Sequence, residues 1–445
     1  MDQSFAVPAT PGTPDIERET VHRVAWRLMP LLMLGYFCAY LDRVNVGFAG
    51  LTMNRDLGFT NAVFGFGAGV FFIGYFLFEL PSNLILNKVG ARVWIARILL
   101  TWGIISGLTA FVWNGWSFYT VRFALGLAEA GFYPGIILYL TWWFPSAYRS
   151  RMVAIFQSAS VIALIVGPIV SGQLLRLHGA LGFAGWQWLF LLEAAPALIM
   201  AGIVLALLTD RPHQAGWLDA GQRDWLAARL QSEQAQREAV HSYALGETLR
   251  NPRVWWLTAV YFGQNVSNYG LLIFLPQIIK AFGVGYGMTG VLSALPFVFA
   301  GVAMIWWGWH SDRTGERNKH VAAACATAAV GLVACVLLQG HPVAMMIALI
   351  VAAMGQMSIA PTFWTLPTAM LSGTAAAGGI ALINSVGNLG GFVGPYMFGL
   401  IKDSTGSDTV ALLALAAAVA VPALILLALG HDRRLERIGR AHAAE

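Results

Sequence analysis

Apolar residues along this chain gather into long, nearly unbroken runs, and the polar stretches between them are short. The runs lie near 26–49, 62–86, 94–112, 116–140, 152–175 and 186–208, then near 254–279, 287–309, 321–338, 343–365, 375–401 and 409–430. About 20 apolar residues in a helix cross a hydrocarbon layer roughly 30 Å thick. A helix also satisfies its own backbone hydrogen bonds where no water is present. The pattern therefore predicts an all-α membrane protein of twelve spans in two sets of six. Residues 1–23 read as a cytoplasmic tail, 24–208 as the first six-helix bundle, 209–250 as a polar cytoplasmic linker, 251–430 as the second bundle and 431–445 as a closing tail.

Composition agrees with a bilayer environment: 58% of the 445 residues are apolar and only 11% are charged. The distribution of cations adds an orientation. With both termini in the cytoplasm, all but six of the 27 Lys and Arg residues fall on cytoplasmic segments or their margins. Arg55, Arg176, Lys280 and Lys402 lie outside, and Arg43 and Arg122 lie within spans. The net charge of +5 is thus mostly a topological signal that also suits anionic lipid headgroups, and it does not form a nucleic-acid face. Residues 1–23 are too polar and acidic for a secretory signal, so the first span is expected to persist.

The two sets of spans repeat. NLILNKVGAR at 83–92 matches GWHSDRTGER at 308–317 with an offset of 225 residues, and GPIVSG at 167–172 matches GPYMFG at 394–399 with an offset of 227. Two patterns at nearly one offset imply parallel halves related by an axis along the membrane normal, with a functional cavity between them. The glycine-rich stretch 384–399 implies close helix approach, and Pro168 and Pro395 imply bends.

Ionisable residues inside spans are expensive, at about 2.5 to 3.5 kcal/mol each on an insertion scale. Asp42, Arg43, Arg122 and Glu129 nevertheless sit there. Asp42 and Arg43 project about 100° apart around a helix, and Arg122 and Glu129 are separated by about 10 Å along one, so neither couple is an obvious ion pair. Arg43 and Arg122 suit the forked recognition of a carboxylate. Asp42 and Glu129 suit the exchange of a proton coupled to movement of that anion. Tyr40, Tyr75, Gln157 and Asn388 add hydroxyl and amide groups for its remaining polar atoms, and Tyr261, Gln264, Asn265 and Asn268 form a second polar group in the other half. Glu79 and Glu193 fit structural roles. All nine histidines lie at termini, turns or span edges, which leaves carboxylates as the proton carriers.

Other chemistries find little support. No compact nucleophile and base or metal-ligand cluster emerges, no GK[ST] motif occurs, and Cys38, Cys325 and Cys335 form no CxxC pair. The chain is expected not to be an enzyme and to need no cofactor beyond the proton as coupling ion. An anion exchanger or exporter on the same scaffold is the alternative reading.

YLDRVNVGFA at 40–49, VRFALGLAEAGFYPG at 121–135, WWFPSAYRSR at 142–151 and NSVGNLGGFVGPYMFGLIKDSTGS at 384–407 together resemble the anion:cation symporter family of the major facilitator superfamily. NYGLLIFLPQIIKAFG at 268–283 resembles bacterial tartrate-type and related organic-acid carriers. The resemblance implies a twelve-helix, rocker-type, proton-coupled importer of a small organic carboxylate, which is a tartrate-like hydroxy acid, a sugar acid or an aromatic acid. It implies a monomer in the cell inner membrane. It further implies that Arg43, Arg122, Tyr40, Tyr75, Gln157 and Asn388 contact substrate and that Asp42 and Glu129 couple the proton.

Overall fold

The computed structural model describes residues 14–238, 251–370 and 373–429, so expectations for the extreme N-terminus, the end of the linker and the tail at 431–445 lie outside the described residues. No strand occurs among the described residues. The first half comprises α1 (Pro14–Leu57), α2 (Asn61–Val89), α3 (Ala91–Leu108), α4 (Gly115–Glu129), α5 (Phe132–Trp143), α6 (Ser146–Leu174) and α7 (Gly185–Leu207). A linker helix α8 (Ala220–Glu238) follows. The second half comprises α9 (Pro252–Lys280), α10 (Tyr286–Thr314), α11 (Arg317–Leu337), α12 (Pro342–Phe363), α13 (Thr365–Met370), α14 (Gly373–Asn388), α15 (Gly390–Thr405) and α16 (Asp408–Leu429).

Counting α4 with α5, α12 with α13 and α14 with α15 as single crossings gives twelve rods in two sixes. Ten are long and apolar enough to span a bilayer by themselves among the described residues. The other two are α9, whose hydropathy is lowered by Gln264, Asn265, Ser267 and Asn268, and the interrupted rod α14–α15.

Local chemistry sets many of the boundaries. Thr60 caps α2 by accepting from the Val63 amide at 3.2 Å, and Asn114 and Ser117 form a reciprocal capping box on α4. The repeat is legible in the backbone: Gly90 and Gly315, offset by 225 residues, both take positive φ (100° and 72°) at the turn between the second and third helices of their halves.

Three features go beyond the pattern of apolar runs. The first helix begins at Pro14, so residues 14–23 are helical and not a loose tail. They are held by the linker: Arg23 donates to Gln222 at 2.9 Å and faces Asp219 at 3.7 Å. The linker is itself docked as α8, with Leu218 and Leu226 buried, Trp217 stacked on Trp143 at 5.4 Å, and Glu233 accepting from the Ser146 amide at 3.0 Å. Finally, the eleventh crossing breaks at Leu389 and not at Pro395, because Gly387 and Gly390 press against Tyr261 and the Phe262 carbonyl of α9. The helix through Pro168 is unbroken.

The halves meet chiefly at the end that bears Asn61, Tyr286 and Asp403, and they do so twice in the same way. A Cβ on Gly65 of α2 would lie 2.2 Å from the Pro395 carbonyl oxygen of α15, and one on Gly290 of α10 would lie 2.3 Å from that of Pro168 on α6. The two glycines are offset by 225 residues and the two prolines by 227, so the internal repeat builds one seal from each pairing.

Candidate functional site: two arginines at the interface of the halves

Adjacent positions on α1 serve different neighbours. Asp42 turns into the first half, where Asn45 Nδ2 donates to it at 2.9 Å, Ser106 Oγ at 2.7 Å and the Trp102 indole N–H as a third donor. It is buried with those donors, and no cation among the described residues is bonded to it. Arg43, one residue on, faces the interface. Its Nη2 meets Glu129 Oε1 at 2.6 Å, its Nε reaches the same oxygen at 3.2 Å, and its Nη1 reaches Tyr269 Oη of the second half at 3.4 Å. Arg43 therefore touches both halves at once.

Glu129 is where it is because the fourth crossing breaks. It is the last residue of α4, and Gly131 follows at φ 87° where a Cβ would lie 2.2 Å from Ser82 Oγ, so no side chain fits there. An anion at a helix C-terminus works against the helix dipole, and the Arg43 guanidinium offsets this. The second oxygen, Oε2, has no hydrogen-bond partner among the described residues.

Arg122, seven residues before Glu129 on α4, is 3% exposed and poorly satisfied. Nη2 makes one long bond of 3.4 Å to the Ala68 carbonyl, and Nε has no partner among the described residues. The Phe71 ring lies between the two guanidinium groups, 5.7 Å from Arg43 and 5.3 Å from Arg122. A buried cation with spare donors beside a second cation is a receptor for an anion in chemical terms.

Tyr40 and Tyr75 flank Arg43 with ring centroids 5.1 and 5.7 Å from its guanidinium carbon. Gln157 reaches the group indirectly: it donates to Tyr133 at 2.5 Å, Tyr133 packs on Tyr36, and Tyr36 packs edge-on to Tyr40. Asn388 sits half-buried at the end of α14, and among the described residues no hydrogen bond joins it to Arg43 or Arg122. Of the second polar group, Asn265 donates to the Gly387 carbonyl at 3.0 Å, Gln264 keeps an unpartnered oxygen, and Tyr261 packs on Phe363.

Two further residues join the interface. Tyr269, the second-half partner of Arg43, was not singled out, although Tyr261, Asn265 and Tyr269 recur every fourth residue and share a helix face. Glu79 is more than a local structural group, because it accepts from Asn384 at 3.0 Å and Ser385 at 3.3 Å across the interface.

Comparison with known proteins is consistent with this architecture. The family model described as Major Facilitator Superfamily matches residues 32–395. The chain belongs to that superfamily. It is 53% identical over 421 residues to an Agrobacterium vitis protein named "Putative tartrate transporter", covering 94% of this chain and 93% of that one. It is 41% identical over 397 residues to a "Quinolone resistance transporter" of Acinetobacter baumannii, covering 88% and 91%. Among solved structures, the xylose transporter XylE from E. coli in a partially occluded inward open conformation superposes with a TM-score of 0.73 at 14% identity, covering 94% of this chain and 99% of that one. This superfamily member has the fold of a membrane transporter and not of an enzyme.

Proposed function

We propose that the protein carries a small organic carboxylate together with a proton across the bacterial inner membrane by alternating access, with both termini in the cytoplasm and no cofactor. Tartrate-like hydroxy acids are the first substrates to test, given the relative named for tartrate. The observation that carries the reading is the Arg43–Glu129 pair at the half–half interface, with Arg122 unsaturated beside it.

The charges suggest how the coupling works. Arg43, Arg122 and ionised Glu129 sum to one positive charge; a proton on Glu129 raises the sum to two and releases Arg43 from its ion pair. A dicarboxylate then finds two free guanidinium groups, with Tyr40, Tyr75 and Gln157 to meet its hydroxyls. Substrate bonded to Arg43 takes the place of Glu129, so proton and anion enter the same cycle. Because Arg43 also bonds Tyr269 of the second half, its change of partner bears directly on how the halves sit. Asp42, cradled apart from the pair, is proposed as the second coupling carboxylate, acting within the first half. Asn388 acts as a contact from the second half at the helix break.

The test is uptake of radiolabelled tartrate into proteoliposomes under an imposed pH gradient, with sugar acids and aromatic acids as competitors. Wild-type protein is expected to accumulate one of these acids only when the outside is acidic. Glu129→Gln is expected to lose accumulation by at least tenfold and to keep exchange of internal for external substrate. Full gradient-driven accumulation by the variant would remove Glu129 from the coupling. The relative named for quinolone resistance favours an exporter as the second reading; extrusion or counterflow without accumulation would support it.

A further inference from the structure

Near the linker, α1 and α6 leave a groove of about 580 Å³ between them. Its rim is polar, with Arg18, His22 and Trp26 from α1 and Arg151 from α6, whereas its floor includes Met33 and Ile155. The floor does not end with the groove. Ile155, Ile162, Val166 and Ile169 recur at helical spacing on α6 and are each between 36 and 48% exposed. In a bilayer such a stripe meets acyl chains.

The rim has the chemistry of an anion site. Arg18 and Arg151 are exposed. Trp26 donates its indole N–H to His22 Nε2 at 2.8 Å, which leaves Nδ1 to carry the ring proton as a donor. Of the carboxylates at the start of α1, Glu17 is engaged by Tyr148 Oη at 3.0 Å. Trp26 itself is 71% exposed, as suits an indole at headgroup depth.

We propose that this groove binds an anionic phospholipid from the leaflet on the linker side. The phosphate lies among Arg18, His22 and Arg151, and an acyl chain runs along Met33, Ile155 and the α6 stripe. A free inorganic or sugar phosphate would use the rim alone and leave the apolar floor bare, which is why a lipid is the occupant assigned. The site would tie the start of α1, and through it the linker helix, to the membrane surface.

Native mass spectrometry of the purified full-length protein, titrated with phosphatidylglycerol, phosphatidylcholine or glycerol phosphate, tests this. Wild-type protein is expected to hold phosphatidylglycerol at least tenfold more tightly than phosphatidylcholine. The double variant Arg18→Gln with Arg151→Gln is expected to weaken phosphatidylglycerol about thirtyfold, while Arg55→Gln, at the opposite end of α1, leaves it unchanged. Equal binding of the two lipids, or undiminished binding by the double variant, would overturn the site. Glycerol phosphate binding as tightly as the lipid would overturn the choice of occupant.

Discussion

Glu193 and Asn45 present the same mismatch from two sides. Glu193 of α7 is buried, accepts from Ser171 Oγ at 2.7 Å and also meets the Asn45 side chain. Among the described residues, Glu193 Oε2 and Asn45 Oδ1 are both buried without a well-formed hydrogen bond, so two acceptors face a shortage of donors. Buried acceptors without partners typically cost about 1–3 kcal/mol each. Glu193→Gln supplies the missing N–H while its remaining oxygen can still accept from Ser171. The variant is therefore expected to match or exceed the wild-type midpoint in a thermal unfolding assay, and Glu193→Leu, which removes the acceptor for Ser171, to fall below it. A fall in midpoint of about 5 °C or more for Glu193→Gln would mean that the negative charge itself is needed. The same arrangement bears on Asp42, because Asn45 donates to it as well as meeting Glu193. Together these residues stitch α1, α6 and α7 into the first half, away from the Arg43–Glu129 pair.

Between helices, the paired glycine contacts are the feature most open to test. Gly65 on α2 and Gly290 on α10 occupy equivalent places in the repeat, and each lies against a proline carbonyl of the opposite half. A valine at either position would have to displace backbone, a strain of about 1–3 kcal/mol. Both Gly65→Val and Gly290→Val are therefore expected to open the Asn61 end, seen as a longer spin-label distance across that end or as faster labelling of a cysteine placed there. Opposite effects from the two would contradict an equivalent seal. The repeat that leads to this experiment was legible in sequence because turn glycines and the GPxxxG pattern persist in both halves. Membrane crossings were legible because hydrocarbon tolerates little else, and so was the placement of Asp42, Arg43, Arg122 and Glu129 within them. Their partners were not. Arg43 and Glu129 lie 86 positions apart, and their meeting depends on the break at Gly131. Polar residues at 14–23 gave no apolar signal for a helix whose partner is the linker.

At the scale of the whole molecule, the two seals are alike in packing and unlike in charge. Asp403, beyond the predicted span 375–401, reaches from α15 to the N-terminus of α2. There it accepts from the Asn61 amide at 3.0 Å, the Asn61 side chain at 2.8 Å and the Ala62 amide at 2.7 Å. At the other seal α10 starts from Gly285 with no side-chain cap, and the position equivalent to Asp403 is Arg176, which donates to Gln173 in its own half at 2.9 Å. Partial burial pushes the Asp403 carboxyl up, but the bonds from Ala62, Asn61 and Thr60 outweigh it and hold the group below the usual aspartate range. A depressed value in the closed state means the latch contributes in full above the ordinary aspartate value of about 3.9 and is lost as pH falls through the lower, latched one. Between pH 5 and 8 the latch should therefore be constant, and any proton dependence of transport in that range must come from elsewhere. Asp403→Asn places an NH2 group where one carboxylate oxygen accepted a backbone amide. Screening at this exposed site limits the loss to about 1 kcal/mol, or roughly fivefold in the balance between closed and open forms. The expected result is a higher population of the form open at the Asn61 end, measured by the same spin-label distance, with the uptake-against-pH profile keeping its midpoint. A midpoint displaced within pH 5–8 would show that Asp403 titrates during the cycle and shares in proton coupling.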